Sequence, residues 1–175
     1  MSETVILKTP RLSLVMWNED DARLVQQLHS TRATTRYLFG QPPWSLEKAE
    51  ERLQGWFEEQ ARDGTTKYKI LAEDGRFVGR AGISKFRTTE QFELGYSLRE
   101  EEWGKGYATE AACALREWFF EREFAPGFIA FTHPENAASQ RVLRKIGMRE
   151  RAPILINGIL GSAFEITAEM RLRKP

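Results

Sequence analysis

Hydrophobic positions along this chain switch between a spacing of two and a spacing of three to four, and each switch marks a new element. Residues 4 to 16, TVILKTPRLSLVM, are β-branched and apolar around a Thr9-Pro10 break and predict a short strand at a sheet edge or a sheet entry. NEDDARLVQQLHS then predicts a helix capped by Asn18, with Asp20 and Asp21 in its electropositive first turn. Beyond the turn-prone FGQPPWS, Leu46, Ala49, Leu53, Trp56 and Phe57 recur at helical spacing, which predicts a second amphipathic helix mildly interrupted by Gly55.

From residue 67 the spacing falls to two. KYKILAED, GRFVGRAGISKFR and QFELGYSL predict an antiparallel meander, with Asp74-Gly75 as its first hairpin turn. The stretch 107 to 123 returns to helical spacing, its apolar face formed by Ala108, Ala111, Ala112, Leu115, Trp118 and Phe119, and Pro126-Gly127 stops it. FIAFTH reads as a buried strand. ENAASQRVLRKIG reads as a helix with Ala138, Val142, Leu143 and Ile146 inward, and the tail as two strands around Asn157-Gly158. Without repeats or linkers, the pattern predicts one α+β, or mixed α/β, domain spanning residues 1–175.

Composition narrows the function classes. A net charge of +1 with acids and bases interspersed lacks the basic face of a general nucleic-acid binder, so an anionic ligand would need a local site. One cysteine, Cys113, excludes an internal disulfide framework; with only His29 and His133 beside it, no metal site is expected. Cys113 sits among alanines and reads as buried packing. No stretch is long and apolar enough to span a bilayer and the opening residues do not resemble a signal peptide, so a cytoplasmic protein is expected.

The candidate chemistry begins at WGKGYATEAA, where Gly104 and Gly106 precede a helix. Such glycines serve a plain turn equally well. The third glycine of a dinucleotide fingerprint would fall on Thr109, and Lys105 is followed by Gly106, so neither that motif nor a P-loop is present. Unpaired N–H groups at a helix start still favour an anion, by about 0.3 to 1 kcal/mol from the macrodipole. Small residues at 104, 106 and 108 would let a phosphate approach, and the strand FELGYSL just upstream could carry an extended ligand with a diphosphate in its middle.

ELGYSLREEEWGKGYATEAA resembles the acetyl-CoA-binding signature of the GNAT N-acetyltransferase superfamily, particularly the branch that includes the Rim-type ribosomal-protein N-terminal acetyltransferases. HPENAASQRVLRKIGMRE and the opening TPRLSLVMWNEDDARLV match further parts of that pattern. The resemblance implies an acyl-CoA N-acyltransferase-like fold, with a mixed sheet of about six to seven strands flanked by about four helices, and acetyl-CoA as cosubstrate without a metal. It places Trp103, Gly104, Lys105, Gly106, Tyr107 and Ala108 on the pyrophosphate loop, with Thr109 at the helix start. Ser97 and Leu98 would offer backbone groups to the pantetheine arm, and Asn136 would bind the CoA arm beside the second helix. The implied partner is an amine acceptor, a small molecule or a protein N-terminus; a homodimer is compatible, and neither nucleic acid nor membrane is expected.

In this family an amine attacks the thioester directly, which calls for a base and for a donor to the departing sulfur. Glu93 is the candidate base, with a solvated strand carboxylate as its alternative reading. Many relatives carry a tyrosine where Leu143 stands here, which leaves Ser139 as the best hydroxyl. Asn136 and Ser139 read equally as a helix cap and a first-turn residue. Glu100, Glu101 and Glu102 are expected to face solvent, and Tyr37, Phe39 and Trp44 to wall a substrate pocket. The rival to an N-acetyltransferase is a catalytically silent acyl-CoA-binding module.

Overall fold

A computed structural model of the protein describes residues 3–86 and 89–172. Its frame is an eight-stranded mixed sheet in the order β1-β2-β3-β4-β5-β6-β8-β7. The strands are β1 (Val5–Lys8), β2 (Leu12–Val15), β3 (Lys67–Ala72), β4 (Phe77–Lys85), β5 (Phe92–Leu98), β6 (Gly127–Thr132), β7 (Arg149–Ile156) and β8 (Ile159–Thr167). Neighbours are antiparallel except β5 and β6. The helices are α1 (Ala22–Leu28), α2 (Arg32–Thr35), α3 (Leu46–Asp63), α4 (Tyr107–Glu121), α5 (Ala137–Lys145) and α6 (Ala168–Leu172).

Two apolar layers cover the sheet. On one face α4 buries Ala111, Ala112, Leu115, Phe119 and Phe120, joined by Leu143 and Ile146 at α5, against Tyr68, Ile70, Ala81, Ile83, Leu94 and Phe164. On the other, Val25 and Leu28 of α1 meet Ala49, Leu53 and Trp56 of α3, and Trp17 stacks on Trp56 with centroids 5.2 Å apart. The α3 stripe is the one its spacing predicts; Ser45 caps it through Lys48 N (3.1 Å) and Gly64, at φ 74°, ends it. The Asn157-Gly158 hairpin also forms, both residues at positive φ.

The element count exceeds the expectation by one or two strands and two helices. Residues 4 to 16 form a hairpin rather than one strand, because Thr9 closes a turn around Pro10: its N–H reaches Leu12 O (2.9 Å) and its Oγ1 accepts from Leu12 N (3.0 Å). A break that demotes a single strand therefore makes two. The short helices α2 and α6 have too few residues for periodicity to show.

Candidate active site

The site lies where the parallel pair parts. Only Glu93 and Ile129 are in register between β5 and β6; past them β5 runs on paired to β4 alone, and β6 runs on paired to β8 alone. Strand alternation settles which backbone groups face the opening. Arg99 N donates to Val78 O (2.9 Å), so Leu98 and Gly79 form a non-hydrogen-bonded pair and Ser97 exchanges its bonds with Arg80. Ser97 thus turns its backbone to β4, whereas Tyr96 and Leu98 turn theirs to the cleft. Of the expected pair, Leu98 presents a backbone N–H to the cleft and Ser97 only a side chain.

The Gly104–Gly106 loop closes one end of this opening. Gly104 and Gly106 stand at φ 74° and 81°, in the left-handed region that side chains disfavour. Gly106 caps α4 without a side chain, and the first intrahelical bond is Glu110 N to Gly106 O (3.0 Å). The N–H groups of Tyr107, Ala108 and Thr109 therefore lack intrahelical acceptors and leave an electropositive helix end. Trp103, 48% exposed, donates its indole N–H to Leu98 O (2.9 Å) and ties the loop to β5.

Behind the loop stands a polar brace. Arg11 donates to Lys105 O (2.9 Å) and Glu110 Oε2 (2.7 Å) and lies 4.7 Å over the Tyr107 ring; Thr9 donates to Glu110 Oε1 (2.6 Å). Glu102 corrects the expectation that its acidic run faces solvent. The short 3₁₀ turn at Glu100–Glu102 leaves the first two carboxylates outside and turns the third inward, where it is 2% exposed and takes hydrogen bonds from Arg76 and Lys105 Nζ (3.0 Å). Burial opposes its charge, yet those two cations hold its carboxyl below the usual range. Lys105 thus neutralises an acid next to the α4 N-terminus.

A cavity of about 1360 Å³ runs from this loop along Tyr96–Leu98 to an aromatic wall of Tyr37, Phe39, Trp44 and Phe131. Glu93, Asn136 and Ser139 also line it. Asn136 caps α5 by accepting from Ser139 N (3.2 Å), so its side-chain oxygen serves the helix. Ser139 Oγ lies 2.9 Å from Tyr96 Oη, which also donates to Ser139 O (3.2 Å). Burial pushes the Tyr96 phenol up to about 12, so it keeps its proton at neutral pH. Leu143 is 1% exposed in the core, and the phenol beside Ser139 is that of Tyr96, from β5. The alternation of Leu94, Tyr96 and Leu98 was the available signal for it.

Glu93 is ion-paired. Its Oε2 lies 3.1 Å from Lys67 Nζ, which also donates to Glu93 O (2.8 Å). Burial lowers the pKa of Lys67 and the Glu93 charge partly offsets this. The bare position at Gly95 makes room for the lysine, since a Cβ there would stand 3.0 Å from Lys67 Cε. Cys113 is half-buried on α4 and burial pushes its thiol up, which fits packing. Among the described residues no His, Cys, Asp and Glu cluster could hold a metal, and no helix is long and apolar enough to cross a membrane.

His29 is fully buried, 4.1 Å ring to ring from Trp44, and its Nε2 accepts from Arg80 Nε (3.2 Å). Burial first, then the charges of Arg80 and Arg52, push its pKa down to about 2. The unfolded imidazole takes up a proton near pH 6.5 that the folded one refuses, so stability holds above that pH and declines below it. Urea melts should lose about 2 kcal/mol between pH 7 and pH 5 from this group, and His29→Gln should remove that part of the slope.

A family model described as an acetyltransferase (GNAT) domain matches residues 11–149. The chain belongs to the GNAT acetyltransferase family. It is 33% identical over 101 residues to the uncharacterised N-acetyltransferase YnaD of Bacillus subtilis, a match spanning 57% of this chain and 59% of that relative, little over half of either. The fold superposes on an acetyltransferase from Agrobacterium tumefaciens with a TM-score of 0.82 and 25% identity, covering 95% of each chain. It also superposes on RimL, a ribosomal L7/L12 alpha-N-protein acetyltransferase solved with coenzyme A, with a TM-score of 0.80 and 19% identity, covering 95% of this chain and 99% of that one.

Proposed function

We propose that this chain is one catalytic unit that transfers an acetyl group from acetyl-CoA to a primary amine, on a small molecule or a protein N-terminus. The observation that carries the reading is the unpaired edge of β5 leading into the α4 N-terminus. Tyr96 and Leu98 offer backbone groups to an extended arm, and glycines admit a diphosphate to the N–H groups of Tyr107, Ala108 and Thr109. A RimL structure with coenzyme A supports the same ligand class for this fold.

Acetyl-CoA supplies an activated thioester, so the residues need only manage protons and position. Glu93 takes the proton the amine gives up, directly or through water, while Lys67 holds its carboxylate in place. Ser139, hydrogen-bonded to the Tyr96 phenol, supplies a proton to the departing sulfur. An α-amine needs the least help, since about a tenth of it is neutral at pH 7 against well under a thousandth of a lysine side chain.

Thiol release measured across a panel of amines should show turnover, and mass spectrometry should place a single acetyl group on the acceptor. Silence on every amine, with no CoA binding by calorimetry, would overturn the reading. Leu143 in place of a helix tyrosine favours one second reading, a silent acyl-CoA-binding module; it predicts CoA binding without turnover. Tyr96→Phe and Ser139→Ala should each lower kcat about tenfold, with the double variant little worse than either, because the two hydroxyls form one donor unit. Fully additive losses would separate their roles.

A further inference from the structure

The α3-facing wall of the cavity holds more cations than its own acids can pair. Lys67 is bonded to Glu93, but Arg80 and Arg52, which also line the cavity, have no carboxylate within ion-pair distance among the described residues. Arg80 comes from the middle of β4, opposite Ser97, and spends its Nε on neutral His29. Arg52 projects from α3, its only described partner the Trp56 ring, 5.8 Å away; Arg80 lies 5.6 Å from the same ring. Burial, and then the nearness of Arg52, depress the Arg80 guanidinium to about 10, and the charges of Glu93 and Glu59 offset this only in part. Such crowding opposes folding unless an anion answers it. Glu59 is the remaining acid on this wall, and its Oε2 is held by Thr66 Oγ1 (2.6 Å).

We infer that Arg80 and Arg52 form a carboxylate subsite, so that the acceptor is an amine carrying a carboxylate. This rests on the acetyl-transfer reading above and names its substrate class. Arg80 and Glu93 lie on the same face of adjacent strands, and the positions between them, Gly82 and Gly95, are covered by β3 and by the Lys67 side chain. An acceptor laid along that face, over the Lys67 side chain, places its amine at Glu93 and its carboxylate at the guanidiniums. The planar fork of Arg80 retains donors for it, because only its Nε is engaged by His29.

The test compares matched pairs: free amino acids against their carboxamides, and short peptides with aspartate against asparagine as the second residue. The first pair reads a free carboxylate, the second an acidic side chain beyond a peptide N-terminus. In at least one pair kcat/KM should favour the acid by about tenfold to a hundredfold, the range expected of a charged hydrogen bond. Arg52→Gln and Arg80→Gln should abolish that preference; Arg52→Gln, which loses only a ring contact, guards against a folding defect in the other. Calorimetry of the CoA-loaded protein with N-acetyl amino acids and their amides reads the subsite without turnover. Turnover with no acid preference in either pair overturns the subsite and leaves acetyl transfer standing. Preferential binding of N-acetyl acids, lost in Arg52→Gln, supports the subsite even if no amine turns over. Equal binding of acid and amide overturns it.

Discussion

Gly106→Glu should raise the KM for acetyl-CoA by about a hundredfold and change kcat far less. The substitution puts a carboxylate beside the N–H groups of Tyr107, Ala108 and Thr109, where the diphosphate is to sit, and a loss of about 2.7 kcal/mol in binding is a factor of a hundred. Two effects must be separated. Gly106 is at φ 81°, so any side chain strains the backbone, and its Cβ would stand 3.3 Å from Nη2 of the Arg11 guanidinium, whose Nη1 holds the loop. Gly106→Ala carries the strain without the charge; it should lower the melting temperature while moving KM only severalfold. If Gly106→Glu leaves the acetyl-CoA KM unchanged, the loop is a structural turn.

Glu93→Gln should lower kcat/KM by about a hundredfold to a thousandfold at neutral pH, within the range of general-base catalysis. The deficit should shrink as pH rises, because more of the amine is then neutral without the help of a base. A loss of equal size at every pH would assign Glu93 to positioning instead. Lys67 complicates the variant: its ammonium is buried against Glu93, and removing the acid leaves that charge uncompensated, at a cost of about 3 to 5 kcal/mol in comparable buried pairs. Adding Lys67→Met should restore the melting temperature but not the activity. Recovery of both would mean that the carboxylate only holds the lysine.

Much of the fold was legible because its signals are local. The α3 stripe, the meander, the Asn157-Gly158 hairpin and the glycine turn before α4 each depend on residues a few positions apart. The first hairpin was harder, since Pro10 reads the same as a strand break or a turn until Thr9 is seen closing on Leu12. Glu102 was misjudged because a 3₁₀ turn, not composition, decides which of three adjacent carboxylates faces inward.

The sequence by itself determined the order of the longer elements, the glycine loop, the family pattern and the residue types at 93, 136 and 139. Only the tertiary structure decided what those side chains meet: Tyr96 beside Ser139, 43 positions apart, Lys67 beside Glu93, and Arg80 crowded by Arg52, with Glu93 and Glu59 offsetting that only in part. The reason is physical. Strand spacing and turn chemistry act over a few residues, whereas a site depends on which strands become neighbours and where their register ends. Here that is the single aligned pair of Glu93 and Ile129, past which β5 and β6 part and open the cavity.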